Sequence, residues 1–241
     1  MICGAFLRAG KVSIEALHKY TCAKVRSTAC TQNVKENCMG IYFTSDLHLG
    51  HEKAIEHTDR PFATVEEMND RLIANINEVV GVKDQLWILG DFSYRITKEE
   101  SKLLRKKIKC KHVHLVYGNH DKNYDGERVF ESTQHYKELK TEYGKVVLFH
   151  YPISDWNAKH YGSIHLHGHI HSTGKYNQRN LERKADELFA EGHTAKDASL
   201  SYRIYDVGVD ANHFMPVSLD DIAELLGVQK KESENGQERQ A

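Results

Sequence analysis

Five stretches of the chain run apolar residues into a group that can bind a metal or carry a proton. Ile41-Tyr-Phe-Thr-Ser-Asp46-Leu-His48 ends in a carboxylate and an imidazole two positions apart. Leu86-Trp-Ile-Leu-Gly90-Asp91, His114-Leu-Val-Tyr-Gly118-Asn119-His120-Asp121 and Val146-Val-Leu-Phe-His150 repeat the pattern, and His165-Leu-His-Gly168-His169-Ile-His171 completes it. Carboxylate and amide oxygens are hard donors and imidazole nitrogens borderline ones, so a polynuclear metal site is the chemistry this mixture serves.

Such donors must be delivered from several strand ends. Tyr42 and Phe43 beside Ile41 favour a buried strand, and alternation in an extended segment predicts that Asp46 and His48 share one face. Gly50-His51-Glu52 and Arg60-Pro61-Phe62 read as a loop region. Thr64 and Glu67 then form a capping box for a helix whose stripe is Val65, Met68, Leu72, Ile76 and Val79, ending near Gly81. A strand from Gln85 to Leu89, a helix capped by Thr97 with Glu100 and running through Lys107, and a strand from His112 to Tyr117 follow. This alternation predicts a parallel sheet with functional loops at the C-terminal strand ends. From Gln134 the pattern turns strand-rich (Tyr136–Leu139, Lys145–His150, Ser163–Leu166, Ser201–Val209), which predicts a second, more antiparallel sheet packed on the first. An inserted helix is expected between Asn180 and Ala198, and a last helix capped by Ser218 runs to Leu226. The expected organisation is an extension over 1–38, dispensable or disordered, a main domain over 39–228 and a polar disordered tail over 229–241.

Composition narrows the function. The 241 residues carry 33 Lys+Arg against 34 Asp+Glu, a net charge of -1, so no basic field supports strong non-specific nucleic-acid binding. No apolar run approaches a membrane span. Of five cysteines only Cys110 follows Met39, which argues against a disulfide framework and for a cytoplasmic main domain. Sixteen histidines are unevenly spread, with several between His150 and His171. They alternate with apolar residues, unlike a contiguous tag.

The order Asp46-x-His48, Gly90-Asp91, Gly118-Asn119-His120-Asp121, His150 and Gly168-His169-x-His171 resembles the calcineurin-like metallophosphoesterase superfamily. The resemblance implies an α/β (α+β) four-layer αββα sandwich, with two mixed sheets face to face and helices outside. It implies that Asp46, His48 and His171 hold one divalent metal and Asn119, His150 and His169 another, with Asp91 bridging them. Phosphomono- or phosphodiester hydrolysis would follow by in-line attack of a hydroxide between the metals, with His120 as general acid and Asp121 orienting it. Manganese is the first expectation for both metals, with iron, zinc, cobalt and nickel also suited to such ligands. The partner is a phosphate-ester substrate, a small molecule or nucleotide.

His51 and Arg60 are candidates for contacting substrate phosphate from the early loop, and a solvated loop explains them equally well. His165 and His167 are better neighbours than ligands. Tyr151 and Pro152 suit a pocket wall, while Trp156 suits a wall or the core. Phe92-Ser-Tyr-Arg95 lacks the Val-Asp-Arg-Gly continuation of Ser/Thr protein phosphatases, which argues against that activity. The Gly50-His51 and Arg60-Pro61-Phe62 pair, with Asp206-Val-Gly-Val-Asp210 and Pro216-Val-Ser-Leu, is similar to a small bacterial and phage branch of phosphoesterases. The competing class is a protein-binding scaffold or metal-binding protein that keeps the fold without turnover.

Overall fold

The computed structural model describes residues 39–180 and 203–231. The expectations for 1–38, for the helix within 180–198 beyond Asn180, and for the tail beyond Lys231 lie outside the described residues.

Two mixed sheets with flanking helices make up the described chain. The first is ordered β4-β3-β2-β1-β9 and the second β5-β6-β7-β8. In the first, β1 (Ile41–Thr44), β2 (Gln85–Ile88), β3 (His112–Val116) and β4 (Ser132–Gln134) are parallel, and β9 (Val217–Ser218) closes the edge antiparallel to β1. In the second, β5 (Tyr136–Thr141) and β6 (Gly144–Phe149) form an antiparallel pair, while β6, β7 (Ile164–His167) and β8 (Ile204–Asp206) are parallel. The second sheet is therefore less antiparallel than its strand-rich sequence predicts. Long connections, not hairpins, join β6 to β7 and β7 to β8.

The helices follow their caps. Thr64 Oγ1 accepts from the Glu67 N–H to open α2 (Val65–Val79), and its buried face is Met68, Leu72, Ile73 and Ile76. Thr97 and Glu100 satisfy each other's backbone N–H groups in a capping box at α3 (Lys98–Lys107), and Ser218 caps α4 (Leu219–Leu225). Glu52–His57 is a further short helix, α1, where a loop is expected. One and a half turns without an apolar stripe leave no periodicity to detect. The two- and three-residue strands β9 and β4 escape for the same reason.

Strand alternation divides the interior into two layers. Leu86, Ile88, Val113 and Leu115 face α2 and its neighbours. Phe43, Trp87, Leu89 and Val116 meet Val146, Leu148, Ile164, Leu166 and Tyr205 between the sheets, and Leu219, Ile222 and Leu226 around α4 pack into the same cluster. At one end the sheets are stitched directly: Ser45 bridges Gly208, and the Val209 N–H donates to the Ser45 carbonyl at 3.1 Å. No described helix is long and apolar enough to cross a membrane.

Candidate metal centre

The site lies where C-terminal strand ends of both sheets meet. Asp46 and His48 follow β1, Asp91 follows β2, and Asn119 and His120 follow β3; His150 follows β6, and His169 and His171 follow β7. Single donor atoms of Asp46, His48 and His171 lie within 4.8 Å of one another, and so do those of Asp46, Asp91 and His150. Asp91 Oδ2 is 3.4 Å from His48 Nε2 and 3.6 Å from His150 Nε2. Asn119 Oδ1 is 3.0 Å from His150 Nε2, and the His169 ring stands 5.0 Å from that of His150.

This convergence does not come from strand alternation. Asp46, His48, Asp91, His169 and His171 all have left-handed backbones, with φ of 58°, 49°, 55°, 73° and 43°. Asp and His tolerate this region better than most residues, yet each instance costs on the order of 1–3 kcal/mol and needs surrounding support. The expectation that Asp46 and His48 share an extended face is corrected accordingly: β1 ends at Thr44, and the chain then coils. Backbone bonds from Asp46 N to the Gly90 carbonyl (3.1 Å) and from His48 N to the Asp91 carbonyl (2.9 Å) hold the coil. Gly168 permits the close approach of the sheets, because a Cβ there would meet Ser45 Oγ at 2.0 Å and Asp46 Oδ2 at 2.4 Å.

The donors are set for a cation. Asp46 is fully buried, and burial, reinforced by Asp206 and Asp91, raises its carboxyl to about 7 despite His171. Its Oδ2 accepts the His169 N–H at 2.9 Å, while Oδ1 is buried without a partner. Burial, with His171 and Arg60 nearby, drives His48 down to about 2, so its ring is a neutral ligand-type imidazole. His150 Nδ1 donates to the Leu89 carbonyl at 2.8 Å and His171 Nδ1 to Asp210 Oδ2 at 2.8 Å, which turns both Nε2 atoms toward the cluster. Burial lowers His171, but the Asp210 bond and Asp46 outweigh it and raise its pKa until a cation displaces the proton. An orphaned buried carboxylate oxygen beside inward-facing imidazole nitrogens is what a divalent metal satisfies.

Two assignments need correction. Arg60 does not face a substrate: it is 4 % exposed, and its guanidinium is bonded to Asp210, to the Asp46 and Leu47 carbonyls and to Met68 Sδ. Asp121 does not orient the His120 ring. Its carboxylate accepts the N–H groups of Asp91, Phe92 and Gly118, each at 2.8 Å, and so fastens the β2 and β3 loops together. Burial outweighs those bonds and raises this carboxyl to about 6.

His120 is half-buried over the cluster, its ring 5.4 Å from His48 and 4.5 Å from Tyr94, and its backbone N–H donates to Asp91 Oδ1. His51 lies 5.3 Å from His48 and 4.2 Å from Tyr94. Tyr151 stands against His150 and His169, as a wall residue would, and Trp156 is core. Sequence reasoning gave no role to Tyr94 or Asp210. The signals were present, since Tyr94 closely follows Asp91 and Asp210 ends the Asp206–Asp210 motif, but neither motif says what its residue touches.

His165 and His167 lie outside the cluster, bonded to the Val147 and Gly168 carbonyls, and burial lowers each to about 4 from an ordinary 6.5. The folded protein keeps both neutral where the unfolded chain already binds protons. Stability present above 6.5 is therefore lost as pH falls toward 4, by up to about 3 kcal/mol per ring. Urea unfolding at pH values between 7 and 4 should show this loss, and His165→Asn, which retains a donor for Val147, should flatten it. An unchanged slope would rule out His165 as a source.

A sequence model described as calcineurin-like phosphoesterase matches residues 39–227. An uncharacterized protein of Methanocaldococcus jannaschii is 33% identical over 190 residues, covering 77% of this chain and 90% of that protein. The gene 66 protein of Mycobacterium phage D29 is 31% identical over 160 residues, 55% of this chain and 78% of the relative, in keeping with the phage branch. The crystal structure of a protein of unknown function from Aquifex aeolicus superposes with a TM-score of 0.56 at 25% identity, covering 78% of this chain and 100% of that one. A family match spanning both sheets and every strand end that brings a donor to the cluster leaves one conclusion: the chain belongs to the calcineurin-like phosphoesterase family.

Proposed function

We propose that the chain is a metal-dependent phosphoric ester hydrolase with a two-metal centre, in which Asp46, His48 and His171 hold one cation, Asn119, His150 and His169 the other, and Asp91 both. The observation that carries this reading is the Asp91 carboxylate, whose Oδ2 faces a histidine of each set at 3.4 and 3.6 Å. When bound, two divalent cations lower the pKa of water to supply a nucleophile and neutralise charge on a phosphoryl group. Manganese is the preferred occupant.

The chain's own residues do the rest. His120 protonates the leaving oxygen, and Tyr94 packs edge-on to its ring to fix where it stands. His51 supports the substrate from the early loop. Exposed Arg95, its guanidinium 5.1 Å from the Tyr94 ring, takes the place at the mouth that Arg60 does not fill. Substrates are small phosphate esters, including nucleotides.

The test uses the full chain stripped by chelator. Hydrolysis of bis(p-nitrophenyl) phosphate and p-nitrophenyl phosphate should be absent before metal is returned, appear with Mn2+, and vanish in Asn119→Ala. Metal uptake without turnover for Mn, Fe, Zn, Co or Ni would instead support a storage or scaffold role.

A further inference from the structure

We infer that Arg60 and Asp210 form a buried clamp that positions His171 as a ligand and locks it to the loop carrying Asp46 and His48, so that both are positioning residues for one half of the centre. The inference rests on the two-metal reading above.

The clamp is continuous. Arg60 Nε and Nη2 donate to Asp210 Oδ1 and Oδ2 at 2.8 and 2.9 Å, a bidentate pair with side chains 0 % and 8 % exposed. Asp210 Oδ2 also accepts from His171 Nδ1 at 2.8 Å, which turns Nε2 to within 3.1 Å of His48 Nε2. The remaining guanidinium donors reach the other half of the same subsite: Nη2 to the Asp46 carbonyl at 2.7 Å, and Nη1 to the Leu47 carbonyl at 3.1 Å and to Met68 Sδ at 3.4 Å. All five N–H groups of the fork are thereby engaged. Asp46, His48 and His171 are the ligands with φ of 58°, 49° and 43°, and Arg60 grips the backbone at the first of these bends. One planar cation thus joins segments 150 residues apart in sequence and sets the spacing of three donors. Lysine offers a single ammonium and cannot reproduce the fork. Among the described residues neither member of the pair bonds directly to Asn119, His150 or His169, and the link to that half is the His169 N–H that Asp46 Oδ2 accepts, so the effect falls mainly on one subsite.

The experiment is calorimetric titration of Mn2+ into the chelator-stripped full chain, with apo melting temperature measured in parallel. The wild type should bind two ions. Asp210→Asn should weaken one site by about 10–100-fold and spare the other. Arg60→Lys, which keeps a buried positive charge, should weaken the same site by a smaller factor and serves as the second reading if Asp210→Asn does not fold. His150→Ala identifies the spared site by weakening it instead. Lower apo melting temperatures with both metal affinities unchanged would make the pair merely structural and overturn the clamp, as would equal weakening of both sites. Absence of uptake by the wild type would remove the two-metal reading, whereas normal wild-type uptake with unaltered variants removes the clamp alone.

Discussion

His120→Ala is expected to lower kcat on an alkyl phosphate ester by about 10²–10⁴-fold, the range contributed by a positioned general acid. The substitution leaves the donor cluster in place, because the contact between residue 120 and Asp91 is made by the backbone N–H and survives in alanine. What is lost is the ring that stands half-buried between Tyr94 and His48. Leaving-group chemistry separates proton donation from a general loss of structure. A p-nitrophenolate departs with little need of a proton, whereas an alkoxide requires one, so the defect should be much smaller for nitrophenyl esters. Equal losses on both classes, or an intact rate on the alkyl ester, would remove His120 from the acid role.

The second large effect comes from a residue with no functional group. Gly118→Ala should cost more than about 100-fold in kcat/KM together with about 1–3 kcal/mol of stability. A Cβ at 118 would stand 2.3 Å from Asp91 Oδ1 and 2.7 Å from the Asp91 backbone nitrogen. Neither partner can retreat cheaply. Asp121 holds the N–H groups of Gly118, Asp91 and Phe92 at once, and the His120 N–H holds Asp91 Oδ1, so a shift of either backbone or of the carboxylate to relieve the clash strains a charge-assisted bond. The carboxylate displaced is the one that faces both histidine sets. Gly126→Ala is the control: a Cβ there meets nothing within 4 Å, and only its φ of 75° carries a cost, so stability should fall modestly with activity retained. Urea unfolding and steady-state kinetics on both variants check the pair, and a fully active Gly118→Ala enzyme would show that the two loops are looser than this packing requires.

Much of the architecture was legible because its causes are local. Thr64, Thr97 and Ser218 announce helix starts through hydroxyls that accept from a nearby backbone N–H, and the Met68, Leu72 and Ile76 stripe is a period set by helix geometry. Apolar runs ending in donors likewise mark β1, β2, β3 and β6. The short helix α1 and the strands β4 and β9 carry no such period and exist only because neighbours pair with them or cover them. The second sheet was recognised, but its mainly parallel order depends on where long connections return the chain.

At the site, residue types and their order were enough to single out the side chains that cluster at the strand ends, since side-chain chemistry belongs to each residue wherever it sits. Sequence by itself therefore determined the family, the two-sheet plan and the group of residues that meet. Tertiary structure alone decided how they meet. It set five donors into left-handed bends, turned Arg60 inward to Asp210 instead of outward to substrate, and gave Asp121 three backbone N–H groups in place of His120. Each of these outcomes is a competition among partners for a buried charge, and the winner is the group that the rest of the fold happens to bring within hydrogen-bonding distance.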